Sequence, residues 1–328
     1  MNLWEIYHED VPDFLRAAAE TPPMQRLREV GMNCGCEYTS FPLFRDLAPY
    51  SRFDHSLGVG LIVWHFTQDK VQSLAGLLHD VATPAFAHVI DFLRGDHLRQ
   101  ESTEDGTAEL IDRSAELQQL LRTLGLCTAD VADYHRYPVA DNDSPRLSAD
   151  RLEYTLGNLV NYGFADRETV KTYYDDLLVG VNGEGETELM FRTPTVAKVF
   201  AEGALRCSAV YVAEEDRYAM QMLAELLKEA IARGVLAEEL LRRTEREVIA
   251  ALESSPMAAD WRRFRAYHRM ERSDAPGAGD NWRQIGAKKR CIDPYVVGQG
   301  RVSALYADFR EQLNEFLSQS QDEWLRGE

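Results

Sequence analysis

The sequence predicts a mainly α fold: a helical bundle with one small β-hairpin and a C-terminal strand-helix appendage. Three observations carry this reading. Apolar residues recur at three- and four-residue steps through most of the chain, the period of helices buried on one face. The runs are punctuated as helices are: Gly31, Gly125 and Gly163 close them, Pro84 breaks one, and Ser148 opens one. Only one stretch alternates around an acidic, Gly-containing turn as hairpin strands do.

Taken in order, "MQRLREVG" reads as a helix ending at Gly31, and "HSLGVGLIVWHFTQ" as a second after a polar loop around 50–53. In "KVQSLAGLLHDVA" the residues Val71, Leu74, Leu77, Leu78 and Val81 form a buried stripe that Pro84 stops. "GTAELIDRSAELQQLLRTLG" and "SADRLEYTLGNLVNYG" are amphipathic, the latter N-capped by Ser148. "VKTYYDDLLVGVNGEGETELMF" is the expected hairpin. Its "GEGETE" turn is no phosphate loop, because its acids repel phosphate. Two long helices follow over 195–232, and "LAEELLRRTEREVIAALES" continues the helical part. Beyond it come a flexible loop, "SDAPGAGDNW", a strand in "KKRCIDPYVV", and a terminal helix from Val302 to Trp324. The expected division is a domain over 1–255, with its core at 20–165, and an appendage over 256–328.

The 328 residues, 45% of them apolar, are enough for a sizeable core. The formal charge of −18 argues against a nucleic-acid partner, since such a surface repels a polyphosphate backbone. It does not exclude a small anionic substrate held by a local cation. Five cysteines, Cys34 and Cys36 too close together to bridge easily, read as free thiols of a reducing cytoplasm. The N-terminus lacks a signal-peptide pattern, and no apolar run reaches the roughly 20 residues of a membrane span. A cytoplasmic protein with no membrane partner is expected.

His55 opens one helix, His79 and Asp80 end another, and Asp150 lies in the first turn of a third. All four are metal-ligand types, on helices whose other faces are apolar, so packing would aim them inward. Imidazole with carboxylate suits a divalent transition ion, Mn, Fe, Zn or Ni, with Mg as an additional candidate. Open coordination positions on such an ion suit a hydrolase, where the metal acidifies a water and polarises the bond under attack.

The ordered set "SRFDHSLGVG", "LAGLLHD", "FAH" and "SADRLEYTL", preceded by "TPPMQRLREVGM", resembles the HD-domain metal-dependent phosphohydrolases, in particular the branch related to deoxynucleoside triphosphate triphosphohydrolases. The resemblance runs weakly on to "LLRRTEREVIAAL", covering residues 20–255. It implies an HD-domain helical bundle with His55, His79, Asp80 and Asp150 as metal ligands. It implies His88 beside the substrate phosphates, protonating the leaving group. Asp91, one turn on, can orient that imidazole. Arg52 matches an arginine that contacts phosphate, as its forked guanidinium suits. Tyr154, one turn after Asp150, can reach the same pocket, and Gln25 and Arg26 lie in the matching N-terminal motif.

The chain also departs from that branch. In "HDVATPAFAH" Thr83 replaces an inner histidine, and Ala82 and Pro84 replace glycines. In "QESTEDGT" Thr103 stands where another catalytic histidine is usual, followed by Glu104, a candidate general base or a simple cap. Asn158 replaces a substrate-contacting aspartate. His97, His135 and the basic run Lys288, Lys289, Arg290 are weaker candidates for the pocket edge. The expected activity is phosphohydrolysis of a nucleotide-like phosphoester through a metal-activated water. A cyclic or signalling nucleotide phosphodiesterase and a non-catalytic, metal-binding regulatory protein remain open. The expected partners are a small phosphorylated substrate and further copies of the chain in a homo-oligomer.

Overall fold

The computed structural model describes residues 2–95, 106–279 and 281–328. It is mainly α. The N-terminal part contributes three short helices, α1 (Trp4–Tyr7), α2 (Asp13–Ala19) and α3 (Pro22–Arg26). They lead to the central pair, α4 (Arg52–Thr67) and α5 (Lys70–Leu78). α4 buries nearly every residue from Arg52 to Val63, the behaviour of a helix that is apolar on all faces. It packs along α5 and against α1 and a later helix over Ala149–Asn161.

α4 begins at a capping box, in which Ser51 Oγ accepts from the Asp54 amide and Asp54 Oδ2 accepts from the Ser51 amide. α5 begins at Asp69, whose Oδ1 accepts from Val71 and Gln72. It ends at Leu78 with His79 as its C-cap, earlier than the apolar spacing to Val81 suggests. The Arg26 guanidinium, more than 50 residues away in sequence, donates to the carbonyls of Val81 and Thr83, and residues 79–82 form turns.

Next come α6 (Val89–Arg94), α7 (Thr107–Arg113), α8 (Ala115–Leu124) and α9 (Thr128–Val131), then α10 (Ala149–Asn161), whose cap Ser148 accepts from the Arg151 amide. The expected hairpin is present but starts later. Its first half is α11 (Arg167–Asp175), capped by Asp166, and the strands are β1 (Leu177–Val181) and β2 (Thr187–Phe191). The apolar Val170, Tyr173 and Tyr174 explain the helix, since they lie at three- and four-residue steps and are buried.

α12 (Pro194–Val210) and α13 (Glu214–Ala232) are the two long helices, followed by α14 (Glu245–Glu253) and α15 (Ala258–Ala266). β3 (Met270–Ser273) and β4 (Arg283–Gln284) flank the loop read from "SDAPGAGDNW". The strand expected over 288–297 is reduced to β5 (Tyr295–Val296), with β6 (Gly300–Arg301) beside it. Pro294, which has no amide to donate, limits it. The terminal helix is split into α16 (Val302–Leu305) and α17 (Ala307–Ser318), and Trp324 belongs instead to a last strand, β7 (Trp324–Gly327).

Among the described residues these strands form two small sheets. One has the order β1-β2-β5-β6, with β5 parallel to β2; the other has β7 between β3 and β4. The C-terminal strand β5 thus pairs with the hairpin of the helical part, while β3, β4 and β7 pair among themselves. Two apolar cores follow the same division of labour. The larger surrounds α4, α5, α10 and α12; the smaller gathers α6, α13, α14 and α15 with Phe41, Phe44 and Phe86. Among the described residues no helix is long and apolar enough to cross a membrane.

Candidate metal centre

Three helix ends of the larger core converge. The first turn of α4 delivers His55, the end of α5 delivers His79 and Asp80, and the first turn of α10 delivers Asp150. His55 Nε2 lies 3.3 Å from His79 Nε2 and 3.0 Å from Asp150 Oδ1. Asp150 Oδ1 is 3.6 Å from His79 Nε2, and Asp80 Oδ2 is 3.5 Å from the same nitrogen. His55, His79 and Asp80 are buried, and their ligand atoms fall within 4.8 Å of one another.

The hydrogen bonds behind the rings make this set suitable for a cation. His79 Nδ1 is 2.7 Å from the Gly76 carbonyl, which only accepts, so the proton sits on Nδ1 and Nε2 offers a lone pair inward. His55 Nδ1 is likewise 2.7 Å from Glu153 Oε2. Two imidazole Nε2 atoms and two carboxylates therefore face one small volume, a donor set that fits a borderline divalent ion. Burial works against the charge on His55, but Asp150 and Glu153 overcome it and hold its pKa up at about 10, so an ion taking Nε2 displaces the proton that Nε2 shares with Asp150. Burial also opposes ionisation of Asp80 and Asp150. Arg52 beside Asp80 and His55 beside Asp150 nonetheless keep both carboxyls well below the usual range.

Glu153 was not among the residues the sequence singled out. It sits three residues after Asp150 on α10, fully buried, and accepts from three donors: His55 Nδ1, the Tyr50 hydroxyl and the Tyr7 hydroxyl. Gly58 makes room for it, since a Cβ there would fall 2.6 Å from Glu153 Cγ. The signal available in sequence was a glutamate one turn beyond a ligand on an apolar helix. Tyr134, whose ring centroid is 4.8 Å from that of His79, was missed as well.

Arg52 is buried and donates to Asp80 Oδ2 at 2.9 Å, while its Nε has no hydrogen-bond partner. Thr83, standing where the resembled branch has a histidine, donates to the other Asp80 oxygen at 2.7 Å. The substituted loop thus still holds the ligand in place.

His88 is the N-cap of α6, and its Nδ1 lies 2.9 Å from Oδ2 of the fully buried Asp91. Burial pushes the His88 pKa down, with the charges of Arg290 and Arg52 adding to it and Asp91 opposing. The charge of Arg290 also bears on Tyr154, opposing the rise that burial gives its pKa. Tyr154 tilts over His55 at 6.4 Å between centroids and meets Tyr211 edge-on at 6.1 Å. Asn158 donates to the Tyr211 hydroxyl at 2.7 Å.

Other expected residues lie elsewhere. Gln25 is not drawn into the cluster: its Nε2 donates to the Ala19 carbonyl and its Oε1 accepts from Arg28. The reason is local, since both partners lie within six residues of it. His135 is half exposed and paired with Asp141 at 2.8 Å. Glu104, with His97 and Thr103, lies outside the described residues.

No family model matches the chain. It is 27% identical over 206 residues to the uncharacterized protein YdhJ of Bacillus subtilis, covering 62% of each chain. It is 25% identical over 161 residues to the metal-dependent phosphohydrolase cns2 of Cordyceps militaris, covering 48% of this chain and 45% of the relative. It is 31% identical over 173 residues to the uncharacterized protein YwfO of Bacillus subtilis, covering 46% and 38%. The chain therefore spans less than two thirds of the length of each of these relatives. It shares a distant likeness with a metal-dependent phosphohydrolase and carries a His/Asp cluster suited to a metal ion.

Proposed function

We propose that this chain is a metal-dependent phosphohydrolase of the HD type, acting on a nucleotide-like phosphoester. The observation that carries the reading is the convergence of His55, His79 and Asp80 in one buried cluster, with Asp150 Oδ1 3.0 Å from His55 Nε2 and 3.6 Å from His79 Nε2. The distant likeness to a metal-dependent phosphohydrolase supports it.

In this reading His55, His79, Asp80 and Asp150 hold the ion, with Mn, Fe, Zn and Ni as the candidates and Mg as an additional one. The bound ion supplies Lewis-acid polarisation of a phosphoryl oxygen and an acidified water. The protein supplies the rest. Arg52, fixed against Asp80, presents its remaining N–H groups to phosphoryl oxygens. Asp91 accepts from His88 Nδ1 and so fixes that ring, leaving Nε2 to carry the proton given to the leaving oxygen. Tyr154 lines the substrate side. Loss of an inner histidine at Thr83 removes a donor suited to a polyphosphate, which favours a substrate with fewer phosphates than a triphosphate. A cytoplasmic, homo-oligomeric protein belongs to the same reading and rests on the family resemblance.

The test is phosphate release from a panel of nucleoside monophosphates, nucleoside triphosphates and cyclic nucleotides, using protein stripped of metal and then given Mn2+, Zn2+ or Ni2+. Metal-dependent turnover of a monophosphate or triphosphate is expected. Opening of a cyclic nucleotide without phosphate release would make the chain a phosphodiesterase instead. No turnover of any member with metal bound would leave the regulatory reading.

A further inference from the structure

A second group of buried acids lies outside the metal cluster, and the proposed chemistry does not use it. Glu245, the first residue of α14, is buried. Its Oε1 accepts from the Gly31 amide at 2.8 Å and from the Phe86 amide at 3.3 Å, and its Oε2 accepts from the Tyr38 hydroxyl at 2.8 Å.

The two amides belong to two different segments, one beside the start of α4 and the other two residues before His88. Gly31 forms an isolated bridge to Ser51, the cap of α4, and the pair is locked by Arg52 N to Val30 O at 2.8 Å and Met32 N to Tyr50 O at 3.0 Å. Arg52 and His55 follow directly from this bridge. Phe86 begins the turn into His88. Phe86 and Ala87 both adopt left-handed backbone, with φ of 62° and 44°. Two successive non-glycine residues stay there only when their surroundings over-determine them. Glu245 is one such restraint, and the bond from Ala85 N to Leu241 O at 2.7 Å, just before α14, is another.

We propose that Glu245 is a positioning residue: its single carboxylate sets the separation between the α4 side of the site, which carries Arg52 and His55, and the turn that carries His88. The proposal rests on the phosphohydrolase reading, because only there does that separation matter.

Glu37 shares the space. A Cβ on Gly31 would fall 2.2 Å from Glu37 Oε1 but at an ordinary contact of 3.6 Å from Glu245 Oε1, so the glycine is what admits Glu37 beside Glu245. Glu37 Oε2 is sealed from solvent and has no partner, whereas Glu245 has three donors. The pair's proton therefore belongs on Glu37, and the negative charge on Glu245, where the donors point.

The test compares Glu245→Ala, Glu245→Asp and Glu245→Gln in the full chain loaded with Mn2+, on whichever nucleotide of the panel turns over fastest, with His88→Ala as reference. Glu245→Ala and the shortened Glu245→Asp are expected to lower kcat by about 10- to 100-fold while KM and bound Mn2+ stay within about twofold. Glu245→Gln keeps an oxygen for both amides and should stay within about threefold of the parent chain. Independently of activity, deuterium exchange of the amides of residues 85–88 should quicken in Glu245→Ala and Glu245→Asp and not in Glu245→Gln.

If Glu245→Ala does not fold, the Asp and Gln pair decides. Unchanged kcat and unchanged exchange in Glu245→Asp would overturn the proposal, as would an equal loss in Asp and Gln. If His88→Ala also leaves kcat unchanged, the role of His88 in the underlying reading fails. If His88→Ala loses activity and Glu245→Asp does not, only the positioning role fails.

Discussion

Glu153 Oε2 lies 2.7 Å from His55 Nδ1, and that contact decides which imidazole nitrogen of His55 faces the metal cluster. A carboxylate can only accept, so Nδ1 keeps its proton, and it is the proton shared by Nε2 and Asp150 that an ion would displace. The same carboxylate is held by Tyr7 and Tyr50, so the ring is fixed by a buried network rather than by one bond.

Replacing Glu153 by Gln should therefore weaken divalent-ion binding without removing a ligand. Orienting partners of this kind typically govern about 10- to 100-fold in metal affinity. Calorimetric titration with Mn2+ or Zn2+ checks this; an unchanged affinity would mean that the ring is oriented by packing alone.

His88 with Asp91 is expected to act on the leaving group. His88→Ala should lower kcat by about 10²- to 10⁴-fold with ion content intact. Burial, reinforced by Arg290 and Arg52, holds His88 below its ordinary pKa of 6.5. An acid must be protonated to act, so kcat/KM should carry a limb that falls with rising pH, lying on the acid side of that value. That limb should be absent from His88→Ala. A profile with the same limb in both proteins would assign it to another group.

Glu37 gives a stability prediction whose sign follows from linkage. Burial and the neighbouring Glu245 push its pKa up to about 8, above the unfolded value of 4.5. The stability it supports is fully present below that unfolded value and is lost as pH rises through about 8. Glu37→Gln removes the need to bury that charge. It should raise Tm at pH 9 by about 2–4 °C or more and change it little at pH 4. Thermal unfolding at the two pH values checks this, and a lower Tm at pH 9 would contradict it.

Much of this was legible in the sequence because the helical signals are local. The cap at Ser148 and the apolar step pattern of α5 are carried by residues within a few positions of one another, whereas α4 starts at Arg52, inside the stretch that reads as a polar loop and so earlier than expected. His55, His79, Asp80 and Asp150 could be singled out for the same reason, as ligand types at the ends of such helices. What local pattern could not carry were bonds that join distant segments. Glu153 meets Tyr7, Tyr50 and His55 from 146, 103 and 98 residues away. Glu245 meets Gly31 across 214 residues. The β3-β7-β4 sheet was missed because its strands are two to four residues long and far apart. Gln25 was drawn toward the site by its place in a motif, but its amide is used up at Ala19 and Arg28.

The central claim is that the His/Asp cluster holds the ion on which phosphate release depends. Elemental analysis of the chain purified without chelator, alongside His79→Ala/Asp80→Ala, with phosphate release measured on the same samples, tests it most directly. The expected result is a divalent transition ion and phosphate release in the parent chain, with both lost together in the double variant. A parent chain without such an ion, or a double variant that loses the ion and keeps full phosphate release, would contradict it.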